Sequence, residues 1–169
     1  MKPKRIPFQP DRHSDPETGR QVTRLFPAGQ VSSHAYFTST SFDAAGNLIL
    51  SAECDGKPQL CRVAADLSFA EQLTDLDGML LQSYCVSPAA NLALVRAGDQ
   101  LLRVELESGE AAPVFKAPEG WRVGIPTVDA AGTYAAFVIS ERPPGFTTTA
   151  RIYSTMPENF FLRPRSLVC

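Results

Sequence analysis

Short apolar runs alternate with turn residues along most of the chain. "YFTSTSF" (36–42), "NLILSAE" (47–53), "QLCRVAA" (59–65) and "EQLTD" (71–75) are rich in aliphatic, aromatic and β-branched side chains. Gly, Asp, Asn or Pro punctuate them, the pattern of short strands joined by turns. No window of helical length carries a clean 3.6-residue period. "ADLSFAEQL" (65–73) has room for one helical turn, but its neighbours favour a strand–loop–strand path. The pattern predicts an all-β chain.

The runs also repeat. "FDAAGNLIL" (42–50) is echoed by "VSPAANLALV" (86–95) and "VDAAGTYAAFV" (128–138), so that Asp43, Ser87 and Asp129 recur at steps of 44 and 42 residues. "QLCRVAADL" (59–67) is echoed by "QLLRVELES" (100–108), a step of 41. A third register aligns Val22, Leu73 and Val114 in "TGRQVTRLF" (18–26), "FAEQLTD" (69–75) and "SGEAAPVFK" (108–116). A unit of about 42 residues with four short strands has the size of a β-propeller blade. Blade one is expected over 34–75, with strands near 36–42, 47–53, 59–65 and 70–74. Blade two is expected over 80–117, with strands near 82–87, 92–97, 100–106 and 112–116. A partial third blade takes 122–169, beginning with 123–129 and 134–140.

Gly46 and Gly132 suit turns that need positive φ. Asp43, Ser87 and Asp129 suit hydrogen bonds to the turn backbone. "QVTRLF" (21–26) reads as an unpaired outermost strand that would close a last blade absent from this sequence. "SLVC" (166–169) reads as the start of a third strand. The count is two to three blades, and a ring needs about four. An open stack of this kind leaves an apolar face and strand edges bare, so poor solubility is expected of the isolated chain.

Composition narrows the partners. The chain has 169 residues, 44% apolar and 20% charged, which fits a packed globular protein. A net charge of -2 gives no electrostatic reason to expect nucleic acid or an anionic membrane. Lys2, Lys4 and Arg5 are followed by Pro7, Pro10 and Asp11 rather than an apolar stretch, so no secretory signal is read there. No apolar run approaches the roughly 18 residues of a membrane span. Cys54, Cys61, Cys85 and Cys169 form no CxxC, and His13 and His34 are the only histidines. Zinc-site spacing is therefore lacking. Reduced thiols in a cytoplasmic protein are expected, with Cys61 and Cys85 packed inside apolar runs. "TTT" (147–149) with Arg151 lacks the spacing of a phosphate-binding loop.

"DPETGRQVTRLFP" (15–27), "YFTSTSFDAAGNLIL" (36–50), "CDGKPQLCRV" (54–63), "QLTD" (72–75) and "ENFFLRPRSLVC" (158–169) together resemble the N-terminal part of oligogalacturonide lyases. That resemblance implies a seven-bladed propeller, pectin breakdown by β-elimination, an acidic oligogalacturonide substrate and a manganese-type divalent metal in the complete enzyme. In the family the metal is held by histidines with a glutamine partner, and another histidine is the base. These lie in the C-terminal half. None can be placed on this chain, which is expected to bind no metal with its own residues, to need the C-terminal blades and to be inactive alone. Two other classes stay open. One is a non-catalytic propeller module that binds or scaffolds. The other is the propeller part of a TolB-like or prolyl-oligopeptidase-like protein, although those usually lack the TG-V-RL opening.

The expected binding face follows from propeller connectivity. Loops between blades gather with the second-to-third strand loops of each blade. "QVSSHAY" (30–36), "LDGMLLQSY" (76–84) and "PEGWRVG" (118–124) are of the first kind. "ECDGKPQ" (53–59) and the long 141–161 segment are of the second. Candidate substrate contacts are His34, Tyr36, Asp55, Lys57 and Arg122. Each also has an ordinary role: His34 and Tyr36 in an inner strand, Asp55 and Lys57 in a solvated turn, and Arg122 beside Trp121. Cationic side chains suit sugar carboxylates, and aromatic ones suit sugar faces.

Overall fold

The computed structural model describes residues 2–141, 151–155 and 165–166. Strand β1 (Lys4–Ile6) comes first, followed by a separate hairpin of β2 (Asp11–Ser14) and β3 (Gln21–Arg24). The first blade then runs through β4 (Ser32–His34), β5 (Leu48–Cys54), β6 (Lys57–Val63) and β7 (Ala70–Gln72). β1 adds outside β7, giving the order β1-β7-β6-β5-β4. The second blade is β8 (Met79–Ser87), β9 (Leu92–Ala97), β10 (Gln100–Glu105) and β11 (Ala111–Lys116), paired in sequence order. In the third, β12 (Trp121–Val123) and β13 (Thr127–Val128) both pair with β14 (Ala135–Glu141). β15 (Arg151–Thr155) and β16 (Arg165–Ser166) follow. All pairings are antiparallel, and the three sheets are consecutive blades of a partial β-propeller.

The near-continuous apolar runs are explained by burial on both faces of each blade. Along β5 and β6, Ile49 and Leu60 join the core between blades one and two, while Leu50, Ala52, Cys61 and Val63 face the other way. Along β9, Ala93 and Val95 pack toward blade one, and Leu92 and Leu94 pack toward blade three. Strand alternation thus feeds two cores from one run. Polar bonds tie the blades as well. The buried Tyr84 hydroxyl donates to Ile49 O at 3.1 Å, and Arg62 Nη1 donates to Leu106 O at 3.3 Å.

Four expectations need correction. "YFTSTSF" is not the inner strand of blade one. That strand is Ser32–His34, and Phe42 makes only an isolated bridge to Leu48. The hydroxyl-rich segment satisfies its backbone locally instead: Ser39 N donates to Tyr36 O, and Ala35 N donates to Ser41 Oγ. Gln21–Arg24 is not unpaired, because Asp11–Ser14 lies against it in full register. Blade one does not leave its first face bare: Ile6, Phe8, Leu25 and Phe26 cover it, with Phe8 and Phe26 edge-to-face at 6.1 Å. The 141–161 segment is not one loop, because Arg151–Thr155 pairs with β14. Its Ile152, Tyr153 and Thr155 have the β-branched and aromatic character of a strand. The expected strand at 166–169 falls mostly outside the described residues.

Candidate functional site

The β5–β6 hairpin turns on Asp55 and Gly56, both at positive φ (51° and 78°). That combination is the tight two-residue turn that matches strand twist. The turn projects Lys57 toward the loop leading into blade two, where Lys57 Nζ donates to Asp77 Oδ1 at 2.6 Å. This ion pair holds the lysine pKa above, and the aspartate pKa below, their ordinary values.

A buried polar network fixes that loop. Thr74 Oγ1 donates to Gln59 Oε1 at 2.9 Å, and Leu76 N donates to the same oxygen. Gln59 Nε2 donates to Leu76 O at 2.9 Å, and Leu60 N donates to Thr74 Oγ1. Gln59 and Thr74 are both about 1% exposed, so every one of these bonds offsets a desolvation cost. Beside the hairpin lies a cleft of about 340 Å³ lined by Lys4, Cys54, Asp55, Lys57, Gln72 and Asp75.

Asp55 and Lys57 therefore share one cleft, as neighbours of one turn. His34 and Tyr36 lie elsewhere. His34 pairs with Leu50, four residues back along β5 from Cys54, about 13 Å at strand rise. Its Nδ1 lies 2.5 Å from Ala35 O, and since a carbonyl only accepts, Nδ1 is the donor. Tyr36 is 41% exposed and packs on Phe37 with ring centroids 4.3 Å apart. Arg122, in the inner strand of blade three, donates from Nε to Ser140 Oγ at 3.1 Å.

Lys4, Gln72 and Asp75 were not among the expected site residues. "KPKRI" carries no periodicity that would place Lys4 beside a strand almost seventy residues later. The Lys4–Gln72 pairing that does so is visible only in the sheet.

The described residues do not fit a divalent-metal site of the family kind. They contain no group of three or more His, Cys, Asp or Glu able to hold an ion. His13 sits on the β2–β3 hairpin and His34 in blade one, in different sheets.

A family model described as oligogalacturonate lyase matches residues 1–142. Among solved structures, an oligogalacturonate lyase in complex with manganese superposes with a TM-score of 0.84 at 22% identity, over 96% of this chain and 48% of that one. An oligogalacturonate lyase from Vibrio parahaemolyticus gives a TM-score of 0.84 at 20% identity, over 97% of this chain and 48% of that one. The chain spans about half the length of these structures. No curated protein matches it.

Proposed function

The chain belongs to the oligogalacturonate lyase family, and from that premise we propose that it builds the N-terminal blades of an enzyme that degrades pectin by β-elimination on short oligogalacturonides. The observation that carries this reading is the family match over 1–142. β-Elimination needs a base for the C5 proton and a neutralising partner for the adjacent carboxylate. Neither set is assembled among the described residues, where the two histidines lie in different sheets. The proposal therefore assigns the base, and a manganese-type cation, to parts of the fold this chain does not span. Residues 1–169 alone contribute binding and not turnover.

The proposal gives the binding share to two separate cationic side chains, Lys57 and Arg122. Lys57 offers three ammonium donors, of which Asp77 takes one, so a sugar carboxylate can share the same head group. Arg122 offers a planar fork suited to a carboxylate. Calorimetric or NMR titration of the chain with digalacturonate, against its neutral digalactose counterpart, tests this. The acidic sugar should bind more tightly and lose affinity with added salt. Lys57→Ala and Arg122→Ala should each weaken it about 3–10-fold, near 1 kcal/mol. Equal affinity for both sugars would contradict the reading.

A further inference from the structure

The inner strand of blade two leaves its ladder between two pairs. Met79 faces Ala97, and Tyr84 faces Val95. Five steps on β8 thus answer two on β9, so three residues are extra. The neighbouring inner strands do less. Ser32–His34 runs in unbroken register with β5. From Val123 to Thr127 there are four steps against three on β14, from Ile139 to Ala136, so one residue is extra.

β9 occupies the outward edge of β8, so the extra residues swell from the other edge, toward the propeller axis. Leu80 and Gln82 are exposed there, and Gln82 is held at a φ of 59°. A left-handed conformation is costly for a residue with a Cβ and persists only where its surroundings enforce it.

Buried hydroxyls enforce it. Ser83, 2% exposed, accepts from Leu80 N at 3.2 Å and donates to Leu80 O, which closes the bulge on itself. Gln82 N donates to Ser51 Oγ of blade one at 3.4 Å, and Ser51 Oγ donates to Ser33 O at 3.1 Å in the inner strand of that blade. Backbone bonds to two blades therefore hold the bulge in place. The segment also belongs to the 76–84 connection that propeller connectivity places on the binding face.

We propose that Gln82 is a substrate-contact residue at the propeller axis, where its amide hydrogen-bonds ring hydroxyls of an acidic sugar while Arg122, on the next inner strand, takes the carboxylate. The inference rests on the oligogalacturonide reading above. A primary amide both donates and accepts, which is the pairing that vicinal hydroxyls of a uronate ring offer. It adds no charge, whereas the arginine supplies the charge-assisted contact. A bulge beside a site re-aims side chains in this way, and backbone strain at such a place is part of pre-organising it.

Titration of the chain with digalacturonate, paired with urea unfolding of the same variants, tests this. Gln82→Gly relieves the backbone, so its urea midpoint should rise while its affinity falls about 3–10-fold. The salt dependence of its binding should stay native, because the lost contact is neutral, whereas Arg122→Ala should flatten it. Gln82→Asn tolerates the same φ with a shorter amide, and its affinity should fall between native and Gln82→Gly. Native affinity in Gln82→Gly, with binding weakened in Arg122→Ala, overturns the Gln82 contact and leaves the oligogalacturonide reading standing. No binding of digalacturonate by the native chain overturns both.

Discussion

Gly132 shows what a single residue contributes at the seam between blades. Its φ is +71°, and a Cβ there would meet Ala90 Cβ of the preceding blade at 2.3 Å. Gly46 makes the equivalent turn at φ +80° with nothing within 4 Å. Both need the left-handed conformation, but only Gly132 also needs the space. Gly46→Ala should cost about 1 kcal/mol from backbone strain, and Gly132→Ala about 2–3 kcal/mol once the clash is added. Urea denaturation of the two variants checks this, and equal losses would contradict the seam contact. The turn chemistry was partly legible. Asp43 Oδ1 accepts from Ala45 N and Asn47 N, and Asp129 Oδ1 accepts from Tyr134 N, as their type and position suggested. Ser87 instead donates to Ala130 O in the turn of the next blade. In the corresponding turn of blade two the positive-φ residue is Asn91, whose N donates to Pro88 O. The turn there is shifted by one residue, and a repeat read from side-chain identity does not resolve that.

Among the strands, one lateral ladder ties the N-terminus to both blades. Arg5, Glu71 and Arg62 face one another in register on β1, β7 and β6. Glu71 Oε1 accepts from Arg62 Nε at 2.7 Å and from Arg62 Nη2, and Arg5 Nε lies 3.9 Å from Oε2. Arg62 then reaches Leu106 O in blade two. The Arg62 and Glu71 side chains are 17% and 10% exposed, and Arg5 is 61% exposed. Glu71→Gln should therefore cost about 3 kcal/mol by leaving Arg62 half-paired in a desolvated place. Arg5→Ala should cost under about 1 kcal/mol. Comparable losses in a denaturation series would show that burial does not set the hierarchy. The ladder was not legible, because β1 has no hydrophobic pattern and its partner strand lies far along the chain. The central strands were legible, since burial on both faces writes itself as an unbroken apolar run. "YFTSTSF" misled because aromatic and β-branched composition reports strand preference, whereas Phe37 is 77% exposed and the segment turns.

At the scale of the molecule, the three blades have unlike outer faces. The first is covered by Ile6, Phe8 and Phe26. On the far side of the third, Val138 is 37% exposed, while its alternating neighbours Phe137 and Ile139 are buried against blade two. The all-β propeller fold and the family were readable from the repeats and from the "TGRQVTRLF" opening, whereas the fifth strand of the first sheet was not. Of the candidate contacts, only Asp55 and Lys57, neighbours of one turn, line a common cleft. The rest depends on which strands become neighbours: Lys4 beside Gln72, Asp77 against Lys57, and His34 lower on its strand than loop counting suggests. The central proposal is that residues 1–169 supply lyase scaffold and not turnover. The most direct measurement is an assay of residues 1–169 on unsaturated digalacturonate with manganese added, following formation of the keto sugar. The prediction is no product above the buffer rate, and sustained turnover by the chain alone would contradict it.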